Sequence, residues 1–89
     1  MDNQKVKPII FSNHSKEQMA ERGADENEVI LTIQKGESEL AKHNRILYRK
    51  NFQFNSEWRG KWYRIKQVVP VVREESDKII VITVYVFYF

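Results

Sequence analysis

Apolar and polar residues recur with two different periods along this chain, and the change of period separates a helical first part from a stranded second part. In the first part, Ser12 and Gly23 bracket one short segment with helical spacing, and Asp25 and Gly36 bracket a second. Serine and aspartate accept hydrogen bonds from the free N–H groups of a first helical turn, and glycine often follows a last turn. Glu28, three residues after Asp25, completes a capping box. The pattern therefore predicts two consecutive helices.

From Arg45 onward, the period changes to two, which is typical of strands. Three strands are predicted over 45–54, 62–73 and 78–89, with turns at 55–60 and 74–77. Pro70 has no N–H to donate, so it must lie at a sheet edge, at a bulge, or beyond the reach of a neighbouring strand. The second strand is expected to turn Val69 toward the helices and Lys66 away from them. A register shift at Pro70 would exchange the two faces.

These elements predict an α+β fold with two N-terminal helices packed on one face of a three-stranded antiparallel β-meander, in the order α-α-β-β-β. Short turns between consecutive strands favour antiparallel neighbours, and only the helices are available to cover a face of the sheet. Residues 1–7 are polar and expected to fray. Residues 1–11 are interpreted as an N-terminal lead-in, with an extended Pro8–Phe11, and 12–89 as a single domain.

Composition narrows the class of protein. Of the 89 residues, 42% are hydrophobic, which suffices for one modest core. There is no cysteine, which excludes disulfides and thiolate chemistry. The longest apolar run, 79–89, is about half of the ~20 residues that a membrane-spanning helix needs. The N-terminus lacks the apolar core of a signal peptide. We therefore expect a cytoplasmic protein that does not enter a membrane.

Positive charge is concentrated in the middle of the chain. The net charge is +3, but residues 42–66 hold eight Lys or Arg and a single acid, Glu57, a local balance of +7. Aromatic residues are interleaved with these cations, a composition that suits single-stranded RNA or DNA. An equally good interpretation makes the aromatics core and the cations a solvated sheet face. The candidates for nucleic-acid contact, on this segment and on the neighbouring last strand, are Arg45, Arg49, Trp62, Arg64, Lys66 and Thr83.

The first helix carries a line of polar side chains. His14, Gln18 and Arg22 lie four residues apart, so they stack along one face with about 12 Å between the outer Cα atoms. A first helical turn favours a neutral imidazole, which can act as a base. A capping or packing role for His14 is the commoner one, however. Arg22 either binds a phosphate or caps the helix, the latter being favoured, and Gln18 is expected to be solvated.

Metal and cofactor chemistry finds no support in the sequence. The two histidines, His14 and His43, are not at a metal-ligand spacing and have no acidic partner four residues away. The three glycines are isolated, so no loop that cradles phosphates is predicted. We therefore expect neither a metal site nor a cofactor.

Part of this pattern resembles a known family. The segment Ser12-x-His14-Ser15, followed by Met19 and Arg22-Gly23, is similar to the start of an uncharacterised bacterial family whose members begin with a Ser-x-His-Ala helix and an Arg-Gly-Ile stop. The last strand, with Thr83-x-Tyr85, resembles the end of the same family, so the likeness spans 12–86. Ser15 replaces the usual alanine, and Ala24 replaces the usual isoleucine.

That family looks like a relative of the BrnT-type and RelE-type toxins, which are small α+β ribonucleases. The resemblance implies a metal-independent endoribonuclease or a descendant that has lost activity. It implies that His14 acts as base or acid and that Tyr85 or Thr83 positions the phosphate. Arg22, Arg64 and Lys66 would hold that phosphate. The alternative is a non-catalytic module that binds nucleic acid or an antitoxin-like protein. A monomer and a homodimer are both compatible with the sequence.

Overall fold

The computed structural model describes residues 7–89, so the polar stretch predicted to fray lies outside the described residues apart from Lys7. The elements in chain order are β1 (Ile9–Phe11), α1 (Asn13–Arg22), α2 (Glu26–Lys35), β2 (Glu37–Ala41), a short 3-10 turn (Lys42–Asn44), β3 (Arg45–Trp58), β4 (Lys61–Glu74) and β5 (Ile79–Tyr88). Both helices have ten residues, and no helix in this part of the chain combines the length and apolar character needed to cross a membrane.

The strands form one five-stranded mixed sheet in the order β1-β5-β4-β3-β2. β1 pairs in parallel with β5, and every other neighbouring pair is antiparallel. The α+β class is therefore correct, but the predicted three-stranded meander is wrong. The central β3-β4-β5 meander exists, and one additional strand lies on each side of it.

Neither additional strand could be predicted from the pattern of apolar and polar residues, and there is a physical reason in each case. β1 has three residues, too few to show a period, and it becomes a strand because β5 offers it hydrogen-bonding partners. β2 reads Glu-Ser-Glu-Leu-Ala, and its one large apolar side chain, Leu40, is 84% exposed. An edge strand of this kind is held by its ladder to β3 and not by burial.

Both helices begin and end where the sequence predicted. The Ser12 hydroxyl accepts a hydrogen bond from the Ser15 N–H (3.0 Å), and Gly23 follows α1 in the left-handed region with φ 84°. At α2, the Asp25 carboxylate accepts from the Glu28 N–H (2.8 Å), and the Glu28 carboxylate accepts from the Asp25 N–H (3.1 Å). These signals are local in sequence, so they can be read without knowing the fold.

The β3–β4 hairpin is longer than predicted. The turn expected over 55–60 is confined to Arg59-Gly60, because β3 continues to Trp58; both φ angles of the turn are positive (53° and 86°). Positive φ at both central residues matches the right-handed twist of the flanking strands. Asn55 also has a positive φ, 45°, at a register shift between Gln53 and Ser56. The sequence signal at Asn55 therefore marks a bulge and not a turn.

The helices cover one face of the sheet, and the core lies between them. The buried core residues that the two layers share are Met19, Ala24, Val29, Ile33, Val68, Val72, Val81 and Val84. The second register shift, between Val71 and Val72 of β4, leaves Ile82 of β5 without a partner. As a result Val81 and Val84 both face the core, although a strict period of two would place them on opposite faces.

The predicted orientation of β4 is wrong. Lys66 points toward the helices together with Val68 and is only 7% exposed, whereas Val69 faces the other way. Pro70 is buried in this central strand. The ladder between β3 and β4 is interrupted from Leu47↔Val71 to Lys50↔Val68, opposite Pro70, where an N–H is missing. The face of the sheet without helices is called the open face below.

Candidate functional site

Helix α1 lies beside the edge of β5, at the point where β1 ends. β1 pairs with β5 only as far as Phe11↔Val81. Ser12 continues this contact, because its N–H donates to the Val81 carbonyl (3.1 Å) and its hydroxyl donates to the Ile82 carbonyl (3.3 Å). The chain then turns into α1, so the polar side of the helix comes to face the next backbone groups of β5.

Gln18 and Arg22 bind these backbone groups. The Val84 N–H donates to Gln18 Oε1 (2.9 Å), and Arg22 Nη1 donates to the Val84 carbonyl (2.8 Å). The Thr83 hydroxyl also donates to Gln18 Oε1. Gln18 is buried, so the expectation that it is solvated is wrong. Gln18 fixes the helix to the sheet, and Thr83 is partly satisfied by the same amide.

Arg22 also contacts Tyr85. Its guanidinium carbon lies 5.4 Å from the centroid of the Tyr85 ring, a distance typical of cation–π contact. The Nη1 group binds β5, but a guanidinium carries five N–H donors, and the others form no hydrogen bond to residues 7–89 and can bind an anion. The favoured interpretation, in which Arg22 caps its own helix, is wrong, because its hydrogen bond is to Val84 of β5. The structure thus brings together two of the predicted catalytic residues, Arg22 and Tyr85.

His14, the third predicted catalytic residue, is exposed in the first turn of α1. Its side chain makes no hydrogen bond to any of residues 7–89. It stands on the same helical line as Gln18 and Arg22, about 12 Å from Arg22 between Cα atoms. His14 is therefore accessible. It is too far from Arg22 for direct contact, so only a ligand long enough to lie along the helix can contact both side chains.

The open face carries two aromatic rings on β5. Tyr85 and Phe87 alternate with the core-facing Val84 and Val86, so both rings point away from the helices. Their centroids are 6.5 Å apart with an interplanar angle of 18°, and they are 43% and 46% exposed. The Arg22 guanidinium lies over the Tyr85 ring, and about two fifths of each side chain remains exposed, so a planar ligand can reach the pair. Phe87 was not among the predicted site residues, although its alternation with Tyr85 could have identified it.

Polar groups lie across the sheet from these rings. Phe87 is opposite Gln67 of β4, and Gln67 is opposite Asn51 of β3. The Gln67 amide N–H donates to Asn51 Oδ1 (2.9 Å). One row along, Tyr85 is opposite Val69, and the register of β3 places the predicted contact residue Arg49 beside it. Arg49 therefore belongs to the same face as the two rings.

The remaining predicted contact residues are scattered. Arg45 begins β3, four residues from Arg49 and so about 13 Å away along the strand. Arg64 and Trp62 are exposed near the hairpin end of β4. Arg64 is five residues from Val69, the partner of Tyr85, which is about 16 Å. These three side chains do not converge on Tyr85.

Lys66 is committed to the interior. Its ammonium group makes an ion pair with Glu28 (2.8 Å), donates to the Gly23 carbonyl (2.8 Å), and lies 5.4 Å from the centroid of the Phe54 ring. A cation held by these groups joins the end of α1 to the start of α2. The expectation that Lys66 points away from the helices is therefore wrong.

Lys66 belongs to a cluster that satisfies the last carbonyls of α1. Arg59 donates to the Glu21 carbonyl (2.7 Å), and the Tyr88 hydroxyl donates to the Arg22 carbonyl (2.7 Å). Burial raises the pKa of Tyr88, with a further increase from the Glu28 charge and an opposing effect of Arg59. Tyr88 therefore remains a hydrogen-bond donor at neutral pH. Sequence reasoning missed this cluster, since its members are far apart in the chain.

Metal-ligating side chains do not gather in the described part of the chain: no three or more His, Cys, Asp or Glu residues within 7–89 could hold a metal ion together. The candidate site therefore consists of the α1 line and the aromatic pair on the open face. Its groups are an imidazole, a guanidinium, two rings and several amides. This set suits the binding of a ligand with planar and anionic parts.

Comparison with curated proteins gives no match, and comparison with solved structures gives none. A family model described as "Domain of unknown function (DUF4258)" matches residues 11–86. The match runs from the end of β1 to Val86, and so it includes both helices, the whole hairpin and the Arg22–Tyr85 contact. Since it covers most of the chain, the protein belongs to this family of domains of unknown function.

Proposed function

We propose that this protein binds single-stranded RNA on the open face of its sheet. The observation that carries the proposal is the exposed, nearly parallel pair formed by Tyr85 and Phe87, with the Arg22 guanidinium over the Tyr85 ring. Unpaired bases stack on aromatic faces, and arginine both stacks and binds phosphate. Arg22 contacts the Tyr85 ring, but both rings stay more than 40% exposed.

The charge around the rings supports an anionic ligand. Arg22 approaches them from α1, and Arg49 lies two strands away, which is about 10 Å at ordinary strand spacing. A nucleic-acid strand stacked on Tyr85 and Phe87 therefore has cations on both sides for its phosphates. Such contacts release counterions, so the affinity should fall as the salt concentration rises.

The test is fluorescence anisotropy with a labelled single-stranded RNA of about ten nucleotides. Stacking on an aromatic side chain is worth about 1–3 kcal/mol per base, so Tyr85→Ala and Phe87→Ala should each weaken binding about 5- to 150-fold. Trp62→Ala is the matched control, because Trp62 is also exposed (56%) but lies near the hairpin end. Equal affinities for the wild type and both variants would show that the rings are not the binding surface.

A second candidate function is metal-independent cleavage of the bound RNA, favoured by the accessible His14 on the same helical line as Arg22. The sequence resemblance to BrnT-type and RelE-type toxins points to the same chemistry. In this reaction His14, acting as a base, removes the proton of a ribose 2′-OH, and the 2′-oxygen attacks the adjacent phosphorus. The bond to the 5′-oxygen then breaks, and that oxygen takes a proton from water, which the protonated base then replaces. Arg22 would stabilise the charge that develops on the phosphate.

Cleavage is tested separately from binding. Labelled RNA is incubated with the protein in the presence of EDTA, and the products are resolved by length. Activity should be lost in His14→Ala and kept in His43→Ala, which removes the other histidine of the chain. Intact RNA with the wild type would leave binding without catalysis, and full activity in His14→Ala would show that His14 is not the base.

A further inference from the structure

The line of aromatic rings on the open face continues past Phe87. Phe89 lies two residues beyond Phe87 and four beyond Tyr85, so the three side chains project from the same face of the sheet. The backbone holds Phe89 in place, because its N–H donates to the Ile65 carbonyl (3.0 Å) and its carbonyl accepts from the Ile65 N–H (3.0 Å). Phe89 is 64% exposed, more than either of the other two rings. The open face therefore presents three rings in one line.

Arg64 lies beside the last of these rings. Its N–H donates to the same Phe89 carbonyl (2.8 Å) as the N–H of Ile65, so two residues of β4 oppose one residue here and form a β-bulge. Arg64 is exposed, and its guanidinium makes neither a hydrogen bond nor an ion pair with any of residues 7–89. Its charge is therefore available to a ligand that lies on Phe89.

The bulge also turns Arg64 toward the open face. The Tyr63 ring packs 5.4 Å from that of Tyr88, whose hydroxyl binds the end of α1, and Lys66 is buried on the same side. Successive side chains of a strand alternate between the two faces, so residues three apart share a face only where a bulge breaks the alternation. Since Tyr63 and Lys66 both point toward the helices, Arg64 and Ile65 between them both point away.

An anionic ligand along this line meets a cation at each end. The Arg22 guanidinium lies 5.4 Å from the centroid of the Tyr85 ring, and Arg64 lies beside Phe89. The strands underneath add no opposing charge, because neither β5 nor residues 61–73 of β4 include an Asp or Glu. A nucleic-acid strand can therefore lie along the rings without approaching a carboxylate side chain of these two segments.

The spacing of the rings favours an unstacked strand. Two residues of a β-strand span about 6.6–6.8 Å, and the Tyr85 and Phe87 centroids are 6.5 Å apart. This is about twice the 3.4 Å rise between stacked nucleotides. Bases on neighbouring rings are thus too far apart to stack on one another, so each base stacks on its own ring. The line of rings suits an extended single strand and does not suit a duplex.

From this arrangement we infer that the RNA site binds three consecutive unpaired nucleotides, with one base on each of Tyr85, Phe87 and Phe89 and a phosphate at Arg64. The inference rests on the proposed RNA-binding function and deepens it. It defines the ligand as an extended strand of at least three nucleotides, and it assigns Phe89 and Arg64 to the binding of the third one.

The number of nucleotides is tested by competition, in which unlabelled oligonucleotides of two and three nucleotides displace the labelled RNA. In the wild type, the third nucleotide should raise the affinity about 5- to 150-fold, the range for one stacked base. In Phe89→Ala this gain should shrink at least about fivefold. Trp62→Ala, which removes an exposed aromatic side chain outside the line of rings, should keep the gain. No gain in the wild type, or the same gain in Phe89→Ala, would overturn the inference.

The phosphate contact of Arg64 is tested by the salt dependence of trinucleotide binding. Arg64→Gln should weaken this binding and should reduce the slope of log affinity against log salt concentration by about 0.7, the value for one phosphate contact of a single strand. The matched control is Arg73→Gln. Arg73 is also an exposed arginine of β4, nine residues and roughly 30 Å away, so its loss should not change the slope. Equal slopes for Arg64→Gln and the wild type would show that no phosphate binds at Arg64.

Failure of this inference can be told apart from failure of RNA binding. If Tyr85→Ala and Phe87→Ala weaken binding but Phe89→Ala does not, RNA binds on two rings and only the inference is wrong. If no RNA of any length binds the wild type, both proposals are wrong. Phe89 and Arg64 are exposed, so both variants should unfold in urea as the wild type does, and a loss of affinity then reports a lost contact.

Discussion

Replacing Lys66 tests whether this cation holds the two layers of the fold together. In Lys66→Met the aliphatic part of the side chain is kept, but the bonds to Glu28 and to the Gly23 carbonyl are lost. Hydrogen bonds to charged groups contribute about 1.5–3 kcal/mol, and removing one partner of a buried pair costs about 3–5 kcal/mol. The Glu28 side chain stays 21% exposed, so water can partly solvate it. We therefore expect a loss of about 2–3 kcal/mol.

The assay is urea unfolding followed by tryptophan fluorescence, which reports on Trp58 because its ring stacks on Tyr88 at 5.2 Å. The matched control is Lys61→Met, an exposed lysine of the same strand, which should change stability by less than about 0.5 kcal/mol. If Lys66→Met is as stable as Lys61→Met, the interior role of Lys66 is refuted, and its place on a binding surface is open again.

The pair itself is measured by a double-mutant cycle. Glu28→Gln keeps an oxygen that can accept the capping bond from Asp25 but removes the charge that faces Lys66. If the two charges stabilise each other, the double variant should lose about 1–2 kcal/mol less than the sum of the single variants. Strict additivity would mean that Lys66 acts through Gly23 alone.

Three further predictions concern the joint between α1 and the sheet. Gly23→Ala should cost about 2–4 kcal/mol in a thermal scan, because φ is 84° and a Cβ would lie 2.5 Å from the Tyr88 hydroxyl; a loss below about 1 kcal/mol would contradict this crowding. Gln18→Leu should leave the Val84 N–H unpaired and accelerate its hydrogen exchange, whereas Gln18→Glu keeps an acceptor; equal exchange in the two variants would count against the bond. Burial raises the pKa of Tyr88 above 10.0 in the folded protein, so as the pH rises Tyr88 ionises first in the unfolded chain. The free energy of unfolding should therefore be unaffected below pH 10 and should fall as the pH rises through the pKa of Tyr88 in the folded protein. In Tyr88→Phe the urea midpoint should fall less steeply with pH over this range. Some dependence on pH should remain because burial also raises the pKa of Tyr48. An unchanged pH dependence would show that Tyr88 does not cause the loss of stability.

The helices could be predicted residue by residue because their signals are short-range. A serine or aspartate cap, a glutamate three residues later, and a closing glycine act within one turn of backbone. The order of helices before the long strands follows from the change of period in the same way. For these elements, local sequence and final structure depend on the same interactions.

The faces of the sheet could not be predicted, because they depend on two register shifts. One lies between Gln53 and Ser56 of β3, and the other between Val71 and Val72 of β4, where Ile82 is extra. Each shift exchanges the faces of everything beyond it, and neither has a sequence signature as clear as a capping box. Lys66 was assigned to the wrong face for a different reason: it alternates regularly with the core residues Val68 and Val72 of β4, but Val69 on the other face is apolar and buried as well, so the pattern does not tell the two faces apart.

The roles of the candidate site residues stay predictions. The sequence named His14, Arg22 and Tyr85, and the structure places Arg22 and Tyr85 in contact. The involvement of Gln18 depends on a backbone N–H that is 66 residues away in the chain. The place of Arg49 on the same face as Tyr85 depends on the pairing of β3, β4 and β5. Long-range features of this kind require the fold.

The position of α1 also explains why no further strand pairs with β5 beyond the end of β1. On the outer side of β5, Val84 presents an N–H and a carbonyl to which the backbone of a sixth strand could bind. The side chains of Gln18 and Arg22 supply the same acceptor and donor and so imitate that strand. If α1 detached, β5 would become a template for another extended chain, including a second copy of this one. Two side chains of a short helix thus protect this edge from self-association.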